Sequence, residues 1–179
     1  MSAAPLDRAG NLLGALSLAV SDRTADAIGE AAGQSETAAI TLSALHHFLE
    51  DPSLDRVRRV LGLTPSGAVR LVDRLQAAGY VTRRPGRDGR SVSVRLTASG
   101  RRAAQRVSAA RGAVLDQALS VLDPSEREAY ERLTARVLVG LIRDPGAERW
   151  MCRSCDMTAC GHRSGGCPVA NAARERFGS

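Results

Sequence analysis

Hydrophobic residues recur at intervals of three and four along four long stretches of the chain, the spacing of a buried face on an α-helix. These stretches cover residues 5–33, 35–49, 101–121 and 124–143. A serine or threonine cap begins the second stretch, and Asp-Pro-Ser-Glu begins the fourth, as is typical of helix N-termini. The pattern therefore predicts a largely helical chain, with a different kind of segment in its middle.

The two long helical stretches that follow the middle segment carry broad apolar stripes. The last helix is expected to bury Tyr130, Leu133, Val137, Leu138 and Leu141. Together with the first helix, these stripes offer more apolar surface than the core of one chain needs. Association of two copies through these helices is the simplest way to cover that surface.

The middle segment begins with two helices joined by a tight turn. Residues 54–61 carry an apolar stripe at helical spacing, and Gly62 follows where a helix end favours positive φ. Thr64 and Pro65 then provide a hydroxyl cap and a proline at the first helical position of the next helix. This order predicts a helix-turn-helix.

A β-hairpin is predicted directly after these helices, with strands at 80–84 and 91–96. In the second strand Val92, Val94 and Leu96 alternate with polar residues, so they are expected on the buried face. Five arginines lie on or beside the hairpin: Arg83, Arg84, Arg87, Arg90 and Arg95. Such charges can simply protect a sheet edge from aggregation, but after a helix-turn-helix they favour nucleic-acid binding.

The segment LGLTPSGAVRLVDRLQAAGYVTRRPGRDGRSVSVRLTASG resembles the multiple-antibiotic-resistance regulator (MarR) family of bacterial transcription factors. The resemblance rests on VRLVDRL, on GY-V-R-R, on the Asp88-Gly89-Arg90 motif and on L-T-x-x-G, and it covers about residues 8–143. It implies a homodimer with one winged helix per subunit, a recognition helix in the major groove and a wing in the flanking minor groove. It also implies that Arg90 enters the minor groove and that Asp88 orients the nearby arginines.

The second helix of this unit has an exposed face that suits DNA. Small residues near its start allow close approach, and its arginines can reach phosphates or a guanine edge. With the wing, the expected DNA-binding residues are Thr64, Ser66, Arg70, Arg74, Arg83, Arg84, Arg87 and Arg90.

The C-terminal tail contains all four cysteines, spaced C-x2-C-x4-C-x6-C: Cys152, Cys155, Cys160 and Cys167. Four thiolates satisfy a tetrahedral ion, so the sequence predicts a metal site, with Zn2+ favoured by the C-x2-C pair. An iron–sulfur cluster is the alternative, because Pro168 follows the last cysteine as in bacterial ferredoxin runs. Asp156 or His162 is a weaker candidate for replacing one thiol. Metal-free thiols that sense redox state are a further alternative.

Composition and charge narrow the class of protein. The 179 residues carry a net charge of +6, and every basic residue except histidine is arginine, which favours bidentate contacts with phosphate and guanine. A GC-rich genome also produces this bias. The sequence shows neither a transmembrane run nor a signal peptide, so a cytoplasmic protein without disulfides is expected. His46 and His47 are interpreted as ordinary helix residues.

The predicted fold is mainly α with a small β-hairpin wing (α+β), a winged helix-turn-helix flanked by dimerisation helices. Its parts are a dimerisation helix (1–34), a DNA-binding domain (35–100), dimerisation helices (101–145) and a metal-binding tail (146–179). The predicted function is a homodimeric, sequence-specific regulator on a palindromic operator, with repression favoured over activation and room for a small-molecule effector. A cysteine-dependent redox enzyme is the rival, but the sequence offers no activating base arrangement, paired carboxylates or phosphate loop.

Overall fold

The computed structural model describes residues 7–86 and 91–178. In these residues the chain forms eight α-helices, one short 3₁₀ helix and one antiparallel pair of strands, in this order: α1 (Arg8–Ala32), α2 (Glu36–His47), α3 (Leu54–Leu61), α4 (Pro65–Ala77), β1 (Val81–Pro85), β2 (Val92–Leu96), α5 (Ala98–Leu119), α6 (Pro124–Gly140), α7 (Ala147–Met151), the 3₁₀ helix (His162–Ser164) and α8 (Pro168–Phe177). The predicted fold class is confirmed.

Local capping signals set the helix-turn-helix as the sequence predicts. Gly62 ends α3 in the left-handed region, at φ 63°. The Thr64 hydroxyl accepts a hydrogen bond from the Gly67 amide at 3.1 Å, and Pro65 occupies the first position of α4. Because glycine reaches positive φ without steric cost, the chain can turn sharply between α3 and α4.

The hydrophobic core joins the helix-turn-helix to the long helices. Helices α1, α2 and α5 pack against one another, and α3, α4 and the hairpin close the core from the other side. Fully buried side chains come from all these elements, among them Leu42, Val57, Leu71, Leu75 and Val107. The helix-turn-helix and the hairpin therefore share one hydrophobic core with α5.

The hairpin differs from its predicted alternation at one end. Val94 and Leu96 are buried as expected, but Val92 is 43% exposed and Ser93 is buried. Ser93 forms a bridge with Ser53, and its hydroxyl donates to the Arg84 carbonyl at 3.4 Å. The segment before α3 thus covers Ser93, while Val92 lies opposite Pro85 at the open end of the ladder.

Two predicted helix boundaries are also corrected. Helix α5 begins at Ala98 rather than at residue 101, because the Thr97 hydroxyl caps it by accepting from the Gly100 amide at 2.9 Å. Helix α2 ends at His47 rather than at residue 49, since Phe48 leaves helical geometry with φ −150°.

Helix α6 carries its predicted apolar stripe on the outside of the single chain. Its start is as predicted, with a capping box between Asp123 and Glu126, yet none of its residues is buried in the chain. Tyr130, Leu133 and Val137 are 39%, 54% and 47% exposed. The apolar stripe exists, but the single chain does not cover it.

Among the described residues, no helix combines the length and apolar character that crossing a bilayer demands.

Helix α5 provides a matched pair of glycines for a stability test. A methyl group on Gly100 would overlap the carbonyl oxygen of Tyr80, whereas one on Gly112 would meet nothing within 4 Å. Gly100→Ala is expected to lower the free energy of unfolding by about 1–3 kcal/mol through overpacking. Gly112→Ala is expected to raise it by about 1 kcal/mol, because alanine favours the helix. Urea unfolding of both variants checks this, and equal effects would contradict the close approach.

Candidate nucleic-acid interface and cysteine cavity

Helix α4 presents a polar face to solvent beside the α3–α4 turn. Ala68, Leu71, Val72 and Leu75 are buried against the core. The opposite side leaves Ser66, Arg70 and Arg74 exposed, as predicted. Arg70 and Arg74 lie one turn apart, so their guanidinium groups extend from the same side of the helix.

Two of the predicted DNA-binding residues have structural partners. The Thr64 hydroxyl is engaged in the cap of α4. Arg83 on β1 pairs with Asp73 at 2.7 Å and donates to Gln76 at 3.1 Å. Since both partners lie on α4, Arg83 fixes the wing against the recognition helix. Arg84, the next residue, is exposed.

The tip of the wing was predicted to carry Arg87, Asp88 and Arg90. These three residues lie outside the described part of the chain. At the base of the wing, Arg95 forms a two-pronged ion pair with Asp51, with an Nε–Oδ1 distance of 2.6 Å. The hydrogen bonds that Arg95 donates to the Asp51 carboxylate raise the pKa of Arg95 above its already high value. Arg95 therefore ties the hairpin to the segment before α3.

The four cysteines line one open cavity of about 750 Å³, between the tail and the helix-turn-helix. Its far wall is formed by residues of α3 and the end of α2, including Phe48, Leu49, Arg56, Arg59 and Val60. The cysteines were predicted to converge, and the structure brings all four to this cavity. It also places them against α3 of the helix-turn-helix, which their spacing in the sequence does not indicate.

The thiols form an environment suited to thiolate chemistry. The Cys152 thiol donates to Cys155, which together with nearby Arg111 lowers the pKa of Cys155 to about 6 and raises that of Cys152. Burial raises the pKa of Cys160. This pairing favours the thiolate of Cys155, the form that binds metals.

Backbone geometry in the tail supports sulfur ligands. The Ala170 amide donates to the Cys167 sulfur at 3.5 Å at the start of α8, and the His162 amide donates to Cys160. Gly161 and Gly165 adopt positive φ and wrap the chain between the third and fourth cysteines. Amide donors to sulfur stabilise the negative charge of a thiolate.

The donor set nevertheless does not form a closed metal tetrahedron. In residues 7–86 and 91–178, no three cysteine, histidine or carboxylate side chains lie close enough together to hold one ion. Zn–S bonds of about 2.3 Å would require sulfurs roughly 3.8 Å apart. The donor types fit a metal, but a single zinc ion would need the thiols to move closer together.

The tryptophan and a basic residue beside the cysteines were missed at the level of sequence. The Arg153 guanidinium lies 3.5 Å from the centroid of the Trp150 ring. A methyl group on Gly62 would lie 3.0 Å from Trp150 Nε1, so the indole sits on the α3–α4 turn. The signal available in the sequence was the chain's single tryptophan, two residues before the first cysteine.

A histidine of α2 also meets the tail. His47 Nε2 lies 2.9 Å from the Ser108 hydroxyl, and its Nδ1 lies 3.9 Å from an Asp156 carboxylate oxygen. Burial lowers the pKa of His47, so the ring is mostly neutral at pH 7 and the contact with Asp156 is weak. This agrees with its interpretation as an ordinary helix residue.

An exposed polar helix after a tight turn, followed by an arginine-bearing hairpin, defines a winged helix-turn-helix protein. Residues 32–91, which run from the end of α1 into the wing, match the model of the MarR family. No curated protein sequence matches the chain.

Solved structures repeat the fold. RV1404 from Mycobacterium tuberculosis is 25% identical, with a TM-score of 0.64 over 80% of this chain and 99% of its own. MepR, a transcription regulator of the Staphylococcus aureus multidrug efflux pump MepA, is 17% identical, with a TM-score of 0.64 over 73% and 96%. The Mycobacterium tuberculosis MarR family protein Rv2887, in complex with DNA, is 23% identical, with a TM-score of 0.59 over 75% and 98%.

The middle of the chain is therefore similar to the MarR family, and MepR, which repeats the fold, is a transcription regulator.

Proposed function

We propose that this protein is a sequence-specific DNA-binding regulator that acts as a homodimer on a palindromic operator. The observation that carries the proposal is α4, which buries one apolar face and leaves Ser66, Arg70 and Arg74 exposed beside the wing. A helix of this kind fits the major groove, with its arginines reaching phosphates or guanine edges. The DNA complex of Rv2887, which has the same fold, supports this role.

The proposed dimer rests on apolar side chains that one chain leaves uncovered. On α1, Leu12, Leu13 and Leu16 are 57%, 50% and 43% exposed, and α6 exposes a stripe of its own. Isolated helices without buried contacts are marginal in water, so a second copy is the proposed cover. A two-fold dimer places two winged helix-turn-helix units in opposite orientations, which matches a palindromic site.

Repression is the proposed output. A dimer that occupies an operator next to its own gene excludes polymerase from the overlapping promoter. An architectural DNA binder without regulation is the alternative, and a change of operator affinity with metal or oxidant distinguishes the two.

Removing a recognition-helix arginine tests the DNA-binding proposal. Arg70→Ala is expected to weaken binding to the promoter of its own gene at least tenfold, because one good arginine contact is worth about 1–3 kcal/mol. Arg163→Ala, which removes the same charge from an exposed position in the tail, is the matched control. Arg90→Ala, placed at the wing tip by the family resemblance, should also weaken binding while leaving the dimer intact.

Fluorescence anisotropy over a salt series gives the second readout. If each subunit neutralises about four phosphates, log K falls against log salt with a slope of roughly −7 per dimer. Salt-insensitive binding, or equal affinity of Arg70→Ala and Arg163→Ala, would contradict this function.

We further propose that the four cysteines hold a thiolate-bound metal centre. Zn2+ is the first candidate, because four thiolates suit its tetrahedral preference. An iron–sulfur cluster is the alternative, and the spread of the thiols around one cavity favours it, since a cluster spans more space than one ion. Metal-free thiols that respond to oxidants remain a third candidate, which the low pKa of Cys155 favours.

Metal content of protein purified without oxygen separates these candidates. One zinc per chain and no visible absorbance are expected for the ion, whereas iron, acid-labile sulfide and a brown colour are expected for the cluster. Cys155→Ser should lose most of the metal in either case. Protein that contains neither metal and takes up none would contradict the metal centre and favour free thiols.

A further inference from the structure

Trp150 is one of the side chains through which the C-terminal tail reaches the helix-turn-helix. The indole of Trp150 lies on Gly62, where even a methyl group would come within 3.0 Å of Nε1. Gly62 is the left-handed residue that sets the angle between α3 and α4. A side chain that packs on this turn therefore contacts the point that positions the recognition helix.

Trp150 is held in place by the cysteine segment. The Arg153 guanidinium stacks on the indole, and its Nη1 donates to the Trp150 carbonyl at 2.8 Å. The Cys155 amide donates to the Cys152 carbonyl at 2.9 Å, which ties the first two thiols to the same turn. Helix α7 has only five residues and no buried side chain. So short a helix is not stable alone, and its position depends on its surroundings.

The other end of the tail is fixed on a dimerisation helix. Cys167, Val169 and Ala172 form a small core with Ile142 at the end of α6. Arg176 of α8 donates to the carbonyls of Val139 and Ile142, each at 3.1 Å. The tail therefore spans from the end of α6 to the α3–α4 turn, with the thiol cavity along its course.

The tail packs against the helix-turn-helix without covering the exposed polar face of α4. Trp150 contacts the turn, and the cavity is lined by Arg56 and Arg59 of α3. Ser66, Arg70 and Arg74 stay exposed. The tail consequently contacts the helix-turn-helix without covering the side chains that we propose face DNA.

We propose that a thiolate-bound metal group in the four-cysteine cavity fixes Trp150 against the Gly62 turn and thereby raises affinity for DNA. When the metal group is lost, α7 is no longer held in place. The helix-turn-helix then adopts its DNA-binding orientation for only a fraction of the time. Affinity falls by that fraction. The inference rests on the proposed function and adds the path by which the metal centre controls it.

The test compares metal-loaded and metal-free full-length protein on the same promoter duplex. Zn2+ is the probe, removed with EDTA under reducing conditions, and a parallel sample is reconstituted with iron and sulfide without oxygen. Wild-type protein is expected to bind at least tenfold more weakly after metal removal. Trp150→Ala is expected to keep its metal content but to show less than a twofold response.

A matched pair of arginines controls for charge in the tail. Arg153→Ala removes the cation stacked on the indole, and Arg163→Ala removes one from an exposed position nearby. The first is expected to lose most of the response to metal, and the second to retain it. Trp150 also reports directly, since it is the only tryptophan: removal of Zn2+ should shift its emission to longer wavelength. This fluorescence measurement uses wild-type protein, so it tests the proposal even if Trp150→Ala does not fold.

The possible outcomes distinguish failure of the indole's role from failure of the metal centre and from failure of DNA binding. A Trp150→Ala protein that still responds tenfold overturns the role of the indole. So does wild-type protein that holds metal and binds DNA equally well with and without it, although the proposed function then survives. If no metal binds, the metal centre and this inference fail together, whereas absence of DNA binding in every state refutes the DNA-binding function itself.

Discussion

An apolar surface that one chain cannot cover is the constraint on which the architecture depends. Helix α6 is well capped, yet it has no buried residue, and the first half of α1 leaves four leucines exposed. A helix gains most of its stability from packing its apolar face. The proposed second copy therefore stabilises the helices and, through α5, sets the distance between two reading heads.

The reading head is tied to this frame at several points. Helix α5 begins against the hairpin, where only glycine fits beside the Tyr80 carbonyl at position 100. Arg83 locks the wing to α4, and the tail runs from α6 to the turn between α3 and α4. The proposed signal at the cysteines would thus have a short physical route to α4.

Local signals allowed the helix-turn-helix to be predicted almost residue by residue. Gly62, Thr64 and Pro65 act on their immediate neighbours, so their effects can be read from sequence. Ser93 became buried because Ser53 crosses over it, and Trp150 meets Gly62 from far along the chain. The stripe of α6 was recognised, and its cover was assigned to a second copy, which the single chain does not test. Contacts between distant segments and between copies leave no local signature in the sequence. The burial of Ser93 and the position of Trp150 were therefore not predicted.

The most direct test of this account is the solution mass of Leu133→Asp, which places a charge in the uncovered stripe of α6. Wild-type protein is expected to sediment at twice the chain mass of 18.9 kDa. Leu133→Asp should dissociate to monomers, because an unpaired charge buried at an interface is costly. Val92→Asp, which adds the same charge to an exposed wing position, should remain dimeric. A monomeric wild-type protein at micromolar concentration, or a Leu133→Asp variant that stays dimeric, would contradict the account.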